Sequence, residues 1–517
     1  MLNPAQRSQY QTAAVIALLT ALCLALPTHN PTGDAWYYAA CSRWGQELWQ
    51  PHHLLYNSIG WAWLQLVGGT GPAAITWLQA LNALALGGSL WALAGVLRRA
   101  GVAPAAVPAW LLLTGSCFGL LRFATENETY VQPLLLSLLG SLAWVWALVA
   151  PTRRQLGWLA LAGLLAATAC LVHQLMVWWW LGLLLGLRPW RGWPALLAAV
   201  AYALPALVVP AAYALAAPAG TVGVVGLVRF ALHDYLTGGA TLEAGGKLPV
   251  LTAINLVRTV GQMHGNMLPL LRHWPLLLGT VALACLALGV YALLGLRRPK
   301  PTHTLPATQL LTRRVHGGIW LVQFFFSYIA GANSEFMVML PALAAVALAG
   351  GWLAAWPPRR VAALGTALLA WNLAFGLVPA HTLTYTDTSA ALRTRVQTKP
   401  GAWFLLLDPN LLRNQLHYYT GHPKGPPRVL GTPANWTPRP GGPPSFRAWL
   451  SARLAAGDTV YTDVLGGALP FDRAQLMLAQ NNAQLLAGYR QARADSFPTF
   501  FGPRYLTQLL PVSAAGQ

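Results

Sequence analysis

Between Thr32 and Asn57 the chain reads TGDAWYYAACSRWGQELWQPHHLLYN, gathering Asp34, the aromatics Trp36, Tyr37 and Tyr38, and the adjacent pair His52-His53. Only 9% of the residues are charged, so a carboxylate and two imidazoles this close together mark an active-site loop. A second cluster, Arg122 followed by Glu126-Asn127-Glu128-Thr129-Tyr130, lies at the end of an apolar run. A carboxylate near a hydrocarbon boundary is costly unless it is paired or used. The turn is therefore functional, or Arg122 and Glu126, four residues on, form a helical salt bridge. Glu335, in Gly331-Ala332-Asn333-Ser334-Glu335-Phe336, heads a late apolar run. Capping of that helix by Ser334, with Glu335 in its first turn, accounts for it equally well.

The elements that must hold these groups span a membrane. The 517 residues are 56% hydrophobic and 9% charged, against roughly 25% charged in a soluble chain. Too little polar surface remains to cover a water-soluble body. The formal net charge of +20 suggests nucleic acid, but the basic residues come in short pairs between apolar runs, the positive-inside pattern. Cys23, Cys117, Cys170 and Cys285 fall in apolar runs, which leaves Cys41 alone in the loop and implies no disulfide framework. The run from Thr12 to Leu26 reads as an uncleaved first helix, since no small-x-small site precedes Asp34.

Apolar runs of about 17 to 25 residues are taken as spans, and arginine pairs as cytoplasmic. Leu54 to Val67 and Ala73 to Leu97 are separated by Gly68, Gly69, Gly71 and Pro72. With Arg98 and Arg99 inside, one of these two runs is an interfacial helix. Pro104 to Phe123, Val131 to Ala150, Leu156 to Val172, His173 to Leu187 and Trp193 to Ala217 follow. A polar external segment over 219–270 should hold short interfacial helices. Trp274 to Leu296, Ile319 to Gly331, Phe336 to Trp356 and Val361 to Pro379 complete about eleven spans. The acids were not used to draw this map. All seven in residues 1–380 nevertheless fall outside, and 14 of the 20 Lys and Arg fall inside.

Beyond Tyr385 the composition changes. Gly401 to Asp408 and Thr459 to Leu465 read as strands; Leu411 to Tyr419, Pro444 to Ala456 and Asp472 to Tyr489 read as helices. The expected fold is a polytopic α-helical membrane protein with a small C-terminal extracytoplasmic α/β domain. Residues 1–384 would be the transmembrane catalytic domain, with external loops over 27–53 and 219–270, and 385–517 the α/β domain. No Gly-rich phosphate loop accompanies its strands, so a nucleotide site is not expected.

Gly33-Asp34 with Trp36, Tyr37 and Tyr38 after the first helix, then Pro51-His52-His53-Leu54-Leu55-Tyr56 before the next, resembles the GT-C superfamily of membrane glycosyltransferases, which use polyprenyl-phosphate-linked sugars. The architecture is similar along most of the chain, on the pattern of the protein mannosyltransferase and aminoarabinose transferase types. Motif-level similarity is confined to the first loop, the Glu126 to Tyr130 turn and the Glu335 region.

The resemblance implies a single inverting displacement in which Asp34 takes the acceptor's proton, with no second carboxylate as covalent partner. The alternative is that Asp34 caps the loop's interfacial helix. Tyr37, His52, His53, Arg122, Glu126, Glu128, Lys247, Arg272 and Glu335 are the expected substrate-binding residues. Of the two histidines, one orients the donor phosphate or the acceptor, or else lies at headgroup level beside Trp49. The leaving phosphate needs cations, and the external candidates are Arg122, Arg229, His233, Lys247, Arg258, His264 and Arg272. His173 reads as a packed polar residue. Neither a resident metal nor an organic cofactor is expected, because the first loop lacks the paired acidic motif of metal-using relatives. Glu128 with Asp34 is where a divalent cation would have to be held.

The expected partners are the lipid bilayer, a polyprenyl-phosphate-linked sugar and an extracytoplasmic acceptor, whether envelope glycan, lipid or protein, and not nucleic acid. The expected setting is a bacterial inner membrane, with the N-terminus cytoplasmic and the C-terminus outside. The rival readings are a glycolipid flippase, which would place charges or broken helices at mid-bilayer, a non-catalytic scaffold, and an O-antigen-type polymerase.

Overall fold

Apolar runs become helices, and helix length sorts them. The structure is a computed structural model that describes residues 3–187, 192–237, 242–243, 245–263, 266–294, 305–385, 389–423, 428–431, 445–465 and 481–511. Among these, Pro4–Ala25, Ala74–Arg99, Arg153–Val172, Gly192–Ala216, Pro275–Leu294 and Pro358–Thr382 are long and apolar enough to cross a membrane. Pro104–Gly115 and Phe118–Ala124 add a seventh if the bent pair counts as one span. Length and composition thus do not reach eleven spans, because Val131–Ala147, Gln174–Leu185 and Glu335–Leu348, three of the runs counted, are shorter helices. Another of the counted runs, Ile319 to Gly331, belongs to a helix that begins at Ala307, so Arg313 and Arg314 are helical rather than in a loop.

The chain divides into two units. The first comprises Met1–Pro27, Gly45–Met263 and Trp274–Pro379. In it, Tyr56–Val67 is a helix of 12 residues, about 18 Å long, too short for a hydrocarbon core of about 30 Å. Ala74–Arg99 is the spanning member of that pair, a choice the glycine-proline break leaves open. The segment expected to carry short helices does so, in Gly223–Ala231, His233–Thr237 and Leu248–Val260 of this unit and Met267–His273 of the second. Close helix packing needs small residues. A Cβ on Gly163 of Thr152–Val172 would collide with the Tyr202 carbonyl oxygen on Gly192–Ala203.

The run from Pro104 to Phe123, expected as one straight span, is bent by 71°. Backbone groups freed inside a membrane must find partners. The buried Asn372 supplies them, donating from Nδ2 to the Ser116 and Val260 carbonyls at 2.7 and 3.0 Å while its Oδ1 accepts from Gln262 N–H at 2.7 Å.

The second unit comprises Thr28–Trp44, His264–His273 and Ala380–Gln517. Its sheet consists of β1 (Trp403–Leu405), β2 (Val429–Leu430), β3 (Val460–Thr462), β4 (Arg490–Phe497) and β5 (Arg504–Leu510), in the order β2-β1-β3-β5-β4. β1 runs parallel to β2 and β3, while β5 is antiparallel to both β3 and β4. Alternation splits the core: Phe404 and Leu406 pack with Leu412 and Leu416 on one face, and Leu405 packs with Trp449 and Leu450 on the other. The helix expected over Leu411 to Tyr419 is Pro409–Thr420, capped by Asp408 Oδ1 on Leu411 N–H at 2.9 Å and ended by Gly421 at φ 76°. The second expected helix is Phe446–Ala455. The first part of the third, over 472–489, lies outside the described residues, as does His264.

Candidate active site

Residues 125–130 form a turn in which every side chain is buried, from Thr125 and Glu126 to Tyr130. The turn, expected on the external side, is buried in the first unit. The buried Asn82 lies eight residues along Ala74–Arg99, about 12 Å from that helix's start. Its Nδ2 donates to the carbonyls of Glu126 and Glu128, both at 2.8 Å, and of Phe123 at 3.3 Å, and its Oδ1 accepts from Gln132 Nε2 at 2.9 Å. Tyr56 donates its phenolic hydrogen to Asn127 Oδ1 at 2.8 Å. The turn is thus held through its carbonyls and the Asn127 amide.

Arg122 and Glu126 do pair, Nε to Oε2 at 3.4 Å, with the arginine 35% exposed and the glutamate 3%. Glu128 and Glu335 also lie within electrostatic reach of Arg122. Glu335 Oε2 accepts from the Tyr130 hydroxyl at 2.9 Å, so the chain brings the second and third clusters into one. Ser334 makes no side-chain cap. Asn333 Oδ1 takes the Glu335 N–H at 3.0 Å instead, which corrects the capping expected there. The preceding turn places Gly331 at φ 74° and Ala332 at φ 59°, a left-handed geometry that costs a non-glycine residue about 1 kcal/mol. Asn255 Nδ2 holds the Ala332 carbonyl at 2.7 Å.

The two adjacent histidines part company. His52, 39% exposed, pairs through Nδ1 with Asp234. His53 is buried, and its ring meets those of His52 at 4.2 Å and His173 at 4.4 Å, both edge-on. His173 in turn lies 5.2 Å from the Tyr130 ring. Its Nδ1 accepts from Leu175 N–H at 3.2 Å, so the neutral ring carries its proton on Nε2. Burial, helped by His52, holds His173 at a pKa of about 3; burial with His173 and His52 nearby also holds His53 well below the usual imidazole range. Both rings are neutral at physiological pH.

In the second unit Asp34 is exposed in the first turn of Gly33–Trp44. It is not that helix's cap: Thr32 Oγ1 accepts from Ala35 N–H at 3.1 Å. The helix is bound to Pro409–Thr420. Asn414 Nδ2 donates to the Gly33 carbonyl at 2.8 Å, and Arg43 Nη1 and Trp44 Nε1 donate to the Tyr418 carbonyl at 2.9 and 3.0 Å. The Trp36 ring meets that of Tyr418 edge-on at 5.0 Å. Tyr37, on the same helix, is half-buried with its ring 5.7 Å from Tyr38. Arg272 is exposed in the last turn of Met267–His273.

In the first unit Lys247 is exposed where Leu248–Val260 begins, outside the buried cluster. Arg258 bonds Asn255 on its own helix at 3.0 Å. Asn82 is a site residue that the sequence reading missed, and Tyr130 and Asn333, present in the two motifs, carry no separate role there. Two amides inside one apolar run, Gln79 and Asn82, are a signal for the first. Among the described residues no three His, Cys, Asp or Glu are grouped to hold one metal ion.

No family model and no curated protein matches the chain. Solved structures do. The chain is similar to the oligosaccharyltransferase of Archaeoglobus fulgidus in complex with Zn and sulfate, at a TM-score of 0.51 and 11% identity over 95% of this chain and 72% of that one. It is similar to the apo form at 0.51 and 12%, over 98% and 75%. ArnT from Cupriavidus metallidurans in the apo state overlaps all of both chains at 0.40 and 13%. The GT-C fold implied by the first loop is the fold of this chain.

Proposed function

We propose that this protein is a membrane glycosyltransferase that moves a sugar from a polyprenyl-phosphate donor to an acceptor outside a bacterial inner membrane. The observation that carries the reading is a cluster in a membrane unit in which Glu126, Glu128 and Tyr130 are buried and Arg122 and Glu335 are half-buried beside them. Charges buried there are retained for chemistry or transport, and the GT-C fold favours chemistry. Donors and acceptors side by side, with the Tyr130 and Phe336 rings nearby, suit a polyhydroxylated ring next to a phosphate.

In the step proposed, the acceptor hydroxyl oxygen attacks the anomeric carbon as its proton passes to Asp34. The bond from that carbon to phosphate oxygen breaks with both electrons, and polyprenyl phosphate leaves with the configuration inverted. Arg122 stabilises the leaving phosphate; Lys247 and Arg272, both exposed, are further cations for it. Tyr37, His52 and Glu335 would orient the sugars, His53 packing behind His52. An exposed Asp34 that is not committed to a cap supports its role as base. The α/β unit, to which the Asp34 helix belongs, would take part in choosing the acceptor, be it glycan, lipid or protein.

The test is turnover of undecaprenyl-phosphate-linked glucose, galactose and arabinose by the full-length protein in nanodiscs, with and without a chelator, reading polyprenyl phosphate release and product configuration. Transfer with inversion supports the reading, and chelator sensitivity would assign a cation. Transbilayer movement of these lipids without release of polyprenyl phosphate would favour the flippase.

A further inference from the structure

We infer that Asn82, a residue buried within a spanning helix, is a positioning residue that sets the aim of the Glu126 and Glu128 carboxylates; the inference rests on the glycosyl-transfer reading. Three carbonyls of one short turn converge on a single amide nitrogen, those of Glu126 and Glu128 at 2.8 Å and that of Phe123 at 3.3 Å. An amide carries two hydrogens, so the longest contact is the shared arm and the two glutamate carbonyls take one hydrogen each. Each carbonyl belongs to the residue whose carboxylate is at issue. Fixing those two peptide planes fixes the direction in which both side chains leave the turn. The third carbonyl, that of Phe123, adjoins Arg122, whose guanidinium pairs with Glu126.

Asn82 is itself fixed. Its Oδ1 accepts from Gln132 Nε2 at 2.9 Å, which settles which end of the amide faces the turn. Gln132 lies in the first turn of Val131–Ala147, two residues after Tyr130, the donor to Glu335. One amide pair therefore ties the Arg122–Glu126 side of the cluster to the Tyr130–Glu335 side. A one-ångström misplacement of positioned groups costs on the order of a hundredfold in rate, and moving this amide by one methylene is a displacement of that size.

The experiment uses full-length protein in nanodiscs, with whichever of undecaprenyl-phosphate-linked glucose, galactose or arabinose the wild type consumes. Asn82→Asp and the exchange variant Asn82→Gln/Gln132→Asn are compared with wild type in kcat, donor KM and thermal midpoint. The exchange keeps two amides and their summed length while shifting the donor nitrogen relative to the turn. A role confined to satisfying buried polar groups would leave it active. The inference expects kcat to fall at least about tenfold in the exchange variant and about a hundredfold in Asn82→Asp. Donor KM should stay within about threefold, with the midpoint of the exchange variant near wild type. Wild-type turnover by the exchange variant, or a loss of kcat matched by a loss of midpoint, overturns the inference. If Asn82→Asp does not fold, the exchange variant decides alone. An inactive wild type overturns the transfer reading and this inference with it; an active wild type with an equally active exchange variant overturns only the inference.

Discussion

The hydroxyl of Tyr130 donates to Glu335 Oε2 at 2.9 Å across 205 residues of sequence. This bond joins the turn after a bent helix to the head of a late one. Hydrogen bonds to a charged group contribute about 1.5–3 kcal/mol, and Tyr130→Phe keeps the ring beside His173 while removing the hydrogen. The expected outcome is a loss of about 2 kcal/mol in unfolding stability, together with weaker donor turnover. An unchanged thermal midpoint in nanodiscs would count against the bond.

Arg122 is the cation against a glutamate that is 3% exposed. Removing one member of a pair in which the other is buried is more damaging than removing both. Arg122→Gln should therefore destabilise by about 2 kcal/mol, and Arg122→Gln/Glu126→Gln should recover most of that loss. Equal midpoints for the single and double variants would contradict the pairing.

His173 is held at a pKa of about 3 by burial, against an ordinary value of about 6.5. Its folded pKa is depressed, so below pH 6.5 the unfolded chain takes a proton that the folded ring refuses, and stability falls with pH down to about 3. Between pH 6.5 and 5 the loss from this ring is about 2 kcal/mol. His173→Asn can still accept at the cap of the following turn and does not titrate. Its midpoint should drop less than the wild type's between pH 7 and pH 5; equal drops would contradict the assignment.

Trp36 seats the Asp34 helix on Pro409–Thr420, its ring 5.0 Å from that of Tyr418. Losing the aromatic pair and its buried area costs about 2 kcal/mol, which corresponds to about thirtyfold. In Trp36→Ala, amide exchange in Gly33–Trp44 should quicken by about that factor while β1 and β3 keep their protection. Equal quickening of the strands would mean that the whole unit, not the helix seat, had loosened.

Much of this arrangement can be read in residue order, and where it cannot the reason is physical. Ala74–Arg99 and Pro275–Leu294 follow from uninterrupted apolar runs, and the glycine-proline break separates Tyr56–Val67 from Ala74–Arg99 without telling which of the two spans. The bend at Ser116 was hidden because the residue that donates to the freed carbonyl, Asn372, stands 256 positions away. Adjacent cap-forming residues concealed which one caps: Thr32 rather than Asp34, and Asn333 rather than Ser334. β4, with the sequence RQARADSF, lies at the sheet edge with its burial irregular, so no alternation announced it. The first loop drew attention for its chemistry, but nothing local shows that its helix folds with residues beyond 380. That grouping comes from Asn414, Tyr418 and Trp36, which meet only in three dimensions.

The central claim is that Asp34 is the base. The measurement is single-turnover transfer from the polyprenyl-phosphate-linked sugar that the wild type consumes, comparing wild type with Asp34→Asn at matched protein and matched donor binding. Removing a general base costs about 100- to 10,000-fold, so Asp34→Asn should bind donor normally and transfer at least about a hundredfold more slowly. Transfer at the wild-type rate by Asp34→Asn would contradict the account.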